Sequence, residues 1–320
     1  MSKYEIVTPE LIEALKAAVP GRVSVNGDIN EDFSHDEMPI YGKVMPEVVV
    51  EAATTEEVSM VMKLCNEARV PVTPRGAGTG LVGGAVAIHG GVVLSTVKMN
   101  KILGYDIENM MIRVQAGVLL NDLAEDAAKQ GLLYPPDPGE KFATLGGNVS
   151  TNAGGMRAVK YGTTRDYVRA MTVVLPTGEI VRLGASVSKA SSGYSLLNLM
   201  IGSEGTLGII TELTLKLVPA PKEIISLVVL YENLEECIAA VPKLMHANLH
   251  PQALEFMERE IVRLSESYLG KSTFPQSFEG TDINAYLLVT FDGDDENQLN
   301  EVIERASEVL LEAGALDVLV

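Results

Sequence analysis

PRGAGTGLVGG, residues 74–84, is the stretch whose reading decides the fold. Gly78, Gly80 and Gly83 stand in it at the spacing G-x-G-x-x-G. In a nicotinamide-binding Rossmann unit the third glycine opens a helix, and an acidic residue follows about 20 positions on. Here Gly84 comes next, AVAIHGGVVLST (85–96) reads as loop and strand, and Met99, Asn100 and Lys101 occupy the acidic position. The Rossmann reading fails on that context. A phosphate logic remains, because glycines after a strand let backbone N–H groups curl toward an anion. Arg75 could add charge and Thr79 a hydroxyl donor. A tight glycine turn without a ligand explains this loop, taken alone, equally well.

Around it strand and helix signals alternate. Residues 47–52 read as a strand. Thr54 and Glu57 have capping-box spacing, and Val58, Val61, Met62 and Cys65 share a helical face. Residues 70–73, 91–96 and 111–116 read as strands, and Leu120, Leu123, Ala124, Ala127 and Ala128 as a helical stripe closed by Gly131. Residues 171–183 suggest a hairpin turning near Pro176, Thr177 and Gly178, and residues 212–218 alternate as a strand. These make residues 1–220 one α+β domain. Pro219, Ala220 and Pro221 mark a boundary. Residues 221–320 then run strand, helix, strand, helix, strand, helix, strand (224–231, 234–247, 253–257, 259–268, 285–291, 296–313, 316–320), which fits a ferredoxin-like α+β layer.

Two further segments resemble the first in composition. DPGEKFATLGGNVSTNAGG (137–155) interleaves glycines with Thr144, Asn148, Ser150, Thr151 and Asn152, a surface of backbone donors and short polar groups suited to the edge of a flat heteroaromatic ring. GSEGTLGIITE (202–212) passes from a glycine-bearing loop into a strand. Three such stretches in one domain are more than turns require.

In this order, PRGAGTGLVGG, DPGEKFATLGGNVSTNAGGMRAVKYG and GSEGTLGIITE resemble the FAD-binding domain of the vanillyl-alcohol-oxidase (PCMH-type) flavoproteins, in the branch of D-lactate dehydrogenase and the glycolate oxidase large subunit. The resemblance runs from about Phe33 to the C-terminus. It implies a two-part FAD-binding domain followed by a ferredoxin-like cap, here incomplete. It also implies residue roles. Arg75, Gly76, Ala77, Gly78, Thr79 and Gly80 would wrap the FAD pyrophosphate. Asp137, Pro138, Thr144, Gly147 and Asn148 would lie along the flavin and ribityl part, continued by Thr151, Asn152, Ala153 and Gly154. Glu204, Gly205, Gly208, Ile209 and Ile210 would reach the adenosine side. Some members tether FAD through a histidine of the first loop; residues 74–84 hold none, so non-covalent binding is expected. The implied chemistry is hydride transfer from a D-2-hydroxy acid, D-lactate or glycolate, to the flavin, with electrons passed to an electron-transferring flavoprotein.

The same branch carries a later H-x-G-D-G-N-x-H motif that ligates a divalent metal, a G-E-H-G stretch and a substrate-binding arginine. None occurs in this sequence, so it reads as a truncated form or flavin-binding portion of a longer enzyme, with no metal ligands of its own and an unknown catalytic base. A flavin-binding subunit without a complete substrate site is the alternative function. An NADPH-using enolpyruvyl-glucosamine reductase keeps the fold but fits the middle motif less well.

Composition narrows the partners. The net charge of −18 disfavours nucleic acid and anionic membrane. No run of about 18 apolar residues occurs, so no membrane span is expected. The N-terminus lacks a signal-peptide core and the two cysteines, Cys65 and Cys237, form no disulfide framework, which fits a reducing cytoplasm. His35 and His89 read as core or solvated histidines. His246 and His250 stand four apart but lack an acidic ligand pattern, so no metal is assigned to them.

Overall fold

The computed structural model describes residues 4–38, 40 and 42–320, so residues 1–3, 39 and 41 of the expected 1–220 domain lie outside the described residues. In chain order the elements are α1 (Pro9–Ala18), β1 (Val23–Val25), β2 (Val48–Glu51), α2 (Thr55–Ala68), β3 (Val72–Arg75), β4 (Val92–Ser95), β5 (Ile102–Asp106), β6 (Met111–Gln115), α3 (Leu120–Ala128), β7 (Leu132–Leu133), α4 (Leu145–Thr151), α5 (Ala158–Tyr161), α6 (Thr164–Tyr167), β8 (Val168–Val174), β9 (Ile180–Gly184), α7 (Leu196–Met200), β10 (Ile209–Lys216), β11 (Val218–Pro219), β12 (Glu223–Tyr231), α8 (Leu234–His246), β13 (Ala253–Glu258), α9 (Arg259–Leu269), β14 (Ser277–Phe278), β15 (Thr281–Asp282), β16 (Ala285–Gly293), α10 (Glu296–Glu312) and β17 (Asp317–Leu319). They form two compact units. One holds residues 1–134, 138–153 and 163–218; the other holds 135–137, 154–162 and 219–320.

Two sheets lie wholly within the first unit. The smaller has the order β1-β2-β4-β3, with β4 parallel to both β2 and β3. Its central strand, VVLS, is buried throughout, as a parallel strand covered on both faces should be. Its core joins Val50 and Leu94 to Leu15 of α1 and to Val58, Val61 and Cys65 of α2. Each such aliphatic side chain contributes roughly 1.5–3 kcal/mol on burial. The α2 face is the one the spacing predicts, and burial pushes the Cys65 thiol up to about 12. Thr54 caps α2 by accepting from Glu57 N, while the Glu57 carboxylate accepts from Ala53 N.

The larger sheet, β5-β6-β10-β8-β9, is antiparallel throughout. Ile112, Val114, Met171, Val173, Leu213 and Leu215 are buried, whereas Arg113, Thr172 and Glu212 alternate with them. The expected hairpin is present, closed by Leu175 N on Glu179 O and Gly178 N on Leu175 O.

In the second unit the sheet order is β13-β16-β12-β17, all antiparallel, the second-third-first-fourth arrangement of a ferredoxin-like layer. Helices α8 and α10 bury Cys237, Ala240, Leu244, Ile303, Ala306 and Leu310 against Leu227, Val229, Leu287 and Val289. Val262 of α9 packs instead with Leu230, Ile283 and Tyr286. Asp292, whose side chain is 1% exposed, accepts hydrogen bonds from Lys160, Tyr161 and Gln252.

Three features depart from the sequence expectation. Strand β3 starts at Val72 rather than 70 and runs through Pro74 and Arg75, which pair with Leu94 and Ser95. Strand β10 starts at Ile209, three residues before the expected 212. The segment LGGNVST is the helix α4, which its two glycines hide from propensity. Thr144 caps it by accepting from Gly147 N, and Asn152 ends it in the left-handed region. A Cβ on Gly146 would stand 2.7 Å from Ala116 Cβ, so the close approach of α4 to the β6 end requires glycine there.

Candidate functional site

A cleft of about 460 Å³ opens in the first unit beyond the carboxyl ends of β3 and β4. That is the position at which parallel strands in open α/β sheets present ligands. The glycine-rich loop after β3 forms one wall, α4 the opposite wall, and the turn preceding β10 closes the end.

Most of the expected cofactor residues meet there. Arg75, Gly76, Ala77, Gly78, Thr79 and Gly80 line the cleft. Pro138, Thr144, Gly147, Asn148, Thr151 and Ala153 line it from the second segment, and Glu204, Gly205, Gly208, Ile209 and Ile210 from the third. Asp137, Asn152 and Gly154 do not line it. Asp137 pairs with Arg157 at 3.6 Å. Asn152 turns its amide oxygen to Arg165 N at 2.9 Å and to the Thr163 hydroxyl. Pro74, Leu81, Val82 and Gly84 of the first motif and Gly146 and Ser150 of the second, given no individual role from the sequence, also stand on the cleft wall, and so does Thr96, which lies outside the motifs. Their composition carries the signal, since Leu81, Val82 and Gly84 belong to the first motif and Gly146 and Ser150 to the second.

The loop is built to donate. Among the described residues, the backbone N–H groups of residues 76–82 have no partner, while Gly83 N donates to Asp36 Oδ2 at 2.7 Å. Gly78 has φ +82°, a left-handed conformation of the kind found in anion-binding backbone nests. A Cβ on Gly76 would collide with the Thr144 hydroxyl, so any side chain there would fill the cleft. Across from the loop, Asn148 is 5% exposed and its Nδ2 is buried without a partner. A buried amide left unpaired is costly unless a ligand accepts from it. The turn at residues 202–208 is held to α4 by Gly202 N on Val149 O and Glu204 N on Ser150 O. A Cβ on Gly208 would meet Val173, so this turn must press against β8.

The charges are unexpected for an anion site. The charged residues of the wall are Arg75, Glu140 and Glu204. The Arg75 guanidinium is tied elsewhere, donating to His35 O and Asp32 O at 2.8 Å each and lying over the Phe33 ring. The cleft wall therefore offers unpaired backbone donors rather than a free side-chain cation. The residues present fit FAD: unpaired N–H groups for a diphosphate, an orphaned amide, and apolar Leu81, Val82 and Ile209 for flat rings. Among the described residues no group of three or more His, Cys, Asp and Glu could hold a metal ion, and no helix is long and apolar enough to cross a membrane.

The comparisons agree with that geometry. Residues 46–184 match the FAD binding domain family, and residues 220–320 match the C-terminal domain of FAD linked oxidases. The backbone superposes on alkyldihydroxyacetonephosphate synthase with a TM-score of 0.82, at 22% identity over 100% of this chain and 62% of that one. Against p-cresol methylhydroxylase with substrate bound the TM-score is 0.80, at 20% identity over 97% of this chain and 65% of that one. The fold is thus that of the PCMH-type FAD-linked oxidases. Within it the chain belongs to the D-lactate dehydrogenase and GlcD family. It is 71% identical to a D-lactate dehydrogenase of Anaerostipes hadrus over 100% of this chain and 68% of that protein. It is 42% identical to the glycolate oxidase subunit GlcD of Bacillus subtilis (strain 168) over 82% of this chain and 54% of that protein, and equally to a D-lactate dehydrogenase of Archaeoglobus fulgidus over 85% and 58%. The chain thus spans about half to two thirds of the length of these curated relatives.

Proposed function

We propose that this chain binds FAD non-covalently in the cleft and takes part in oxidising a D-2-hydroxy acid, D-lactate or glycolate, to the 2-oxo acid. The observation that carries the reading is the row of unpaired N–H groups at residues 76–82, which share one cleft with the orphaned amide of Asn148. In this account residues 76–80 hold the diphosphate by backbone donors. Thr144, Asn148 and Thr151 hold the flavin side, and the turn at 204–210 holds the adenosine side. Bound FAD supplies a hydride acceptor. The chain orients that acceptor through α4. No catalytic base is assigned.

Electrons would pass on to an electron-transferring flavoprotein. A divalent metal would belong to a C-terminal segment of the H-x-G-D-G-N-x-H type. A cytoplasmic setting is supported by the two free, buried thiols Cys65 and Cys237. The test is turnover of D-lactate, L-lactate and glycolate by the FAD-loaded chain with an artificial acceptor. Bleaching of the flavin by the D-hydroxy acid or by glycolate supports the reading. FAD binding without bleaching by either supports a flavin-binding part that lacks a complete substrate site.

A further inference from the structure

Residues 32–37 meet the glycine-rich loop in a buried, charged layer that includes Arg75 of the cleft wall. Asp36 is 3% exposed, and its carboxylate accepts from Gly83 N at 2.7 Å and from Met38 N at 2.9 Å. Arg75 is 8% exposed and reaches back to the carbonyls of Asp32 and His35. Between these two ties Glu37 N donates to Gly80 O at 3.1 Å. Residues 32–37 thus grip the loop at its start, middle and end, through Arg75, Gly80 and Gly83. The residues between the grips keep their N–H groups free. Burial pulls the Arg75 guanidinium below its ordinary value, and the facing acids Asp36, Asp32 and Glu37 oppose that pull. A carboxylate and a guanidinium buried this far are tolerated only when each is hydrogen-bonded and compensated.

We infer that Asp36 and Arg75 form a buried brace that fixes the phosphate loop in its binding shape before the cofactor arrives, with Asp36 a positioning residue and Arg75 a strut rather than a phosphate ligand. The inference rests on the FAD reading of the cleft. Preorganisation raises affinity by removing the ordering that binding would otherwise require. It also explains a cleft for a dianionic diphosphate that bears two glutamates and no free cation. The N–H row supplies the neutralising dipoles, and the brace holds the row in place. Gly78 belongs to the same device, since a Cβ there would run into the Arg75 guanidinium.

The experiment measures FAD affinity by flavin fluorescence for the wild type, Asp36→Asn and Asp36→Ala, each beside the thermal transition of the cofactor-free protein. Asp36→Asn keeps an acceptor for one of the two N–H groups, and Asp36→Ala for neither. Losing a charge-assisted bond predicts affinity weaker by about ten- to a hundredfold, graded from Asn to Ala. The cofactor-free transition stays within a few degrees, and hydrogen exchange at the Gly83 amide quickens in folded Asp36→Asn. Wild-type affinity also changes by less than about threefold between low and high salt, because no exposed cation meets the phosphates. FAD affinity of Asp36→Ala within twofold of wild type overturns the brace, as does a steep salt dependence of the wild type. A loss of affinity matched by an equal loss of cofactor-free stability likewise reduces Asp36 to a structural role. A wild-type chain that binds no FAD overturns the reading of the cleft itself.

Discussion

Asn148 offers the sharpest test at the scale of one residue. Its Nδ2 is buried without a partner in the cofactor-free chain. Removing it therefore relieves an unmet donor in one state and deletes a ligand contact in the other. Asn148→Ala is expected to weaken FAD binding about tenfold while leaving the cofactor-free thermal transition unchanged or slightly raised. Equal losses in both would show that the amide serves packing alone. Gly78→Ala should lose FAD binding more completely. The new Cβ meets the Arg75 guanidinium, and φ +82° costs a non-glycine residue about 1–2 kcal/mol. FAD titration of the purified variant checks it, and wild-type occupancy would count against the loop assignment. Arg75 itself shows what sequence leaves hidden. Its place in the first motif was legible, but its direction depends on the carbonyls of Asp32 and His35, some forty residues away in the chain.

Among the elements, α2 and its surroundings were readable in the sequence because the signals were local. Thr54 as cap and Val58, Val61 and Cys65 as buried face follow from spacing alone. Helix α4 was not readable. Gly146 and Gly147 lower its intrinsic propensity, and it forms because Thr144 caps it and because Gly146 lets it press on Ala116. The early starts of β10 and the run of β3 into Pro74 and Arg75 were also set by non-local strand partners, Val174 and Val173 in the first case and Leu94 and Ser95 in the second. One long-range tie carries a stability prediction. Arg22 bonds the Glu57 carboxylate at 2.9 Å and Glu51 O at 2.8 Å, and holds the Glu57 carboxyl below its ordinary 4.5. A carboxylate with a lowered folded-state pKa stabilises above its ordinary value, and that contribution fades as pH falls through the folded-state value. Glu57→Gln should lower the melting temperature by about 2–4 °C at neutral pH, for a loss of about 1 kcal/mol. The gap to wild type should narrow once pH falls below the ordinary carboxyl value and close below the lower folded-state value, as thermal melts across pH would read. A gap that persists in acid would exclude the ion pair as its source.

At the scale of the whole molecule, the chain holds two units of different build. The first carries a mixed sheet whose parallel strands β3 and β4 open at their carboxyl ends on the cleft, and the second a ferredoxin-like layer with its own core. The class of fold was legible because three glycine-rich segments stand in a fixed order and four strands alternate with helices after Pro219. The catalytic base was not legible, because no motif among these residues points to one. Membership of the D-lactate dehydrogenase and GlcD family adds a stereochemical expectation. The FAD-loaded chain should be reduced faster by D-lactate than by L-lactate, and stopped-flow flavin bleaching compares the two. The most direct measurement is the visible spectrum of the purified chain after incubation with FAD and removal of the excess. The account predicts a flavin spectrum shifted from that of free FAD, at one equivalent per chain, with all the flavin released into solution on denaturation. A chain that retains no flavin at saturating FAD, or that keeps it covalently after denaturation, would contradict it.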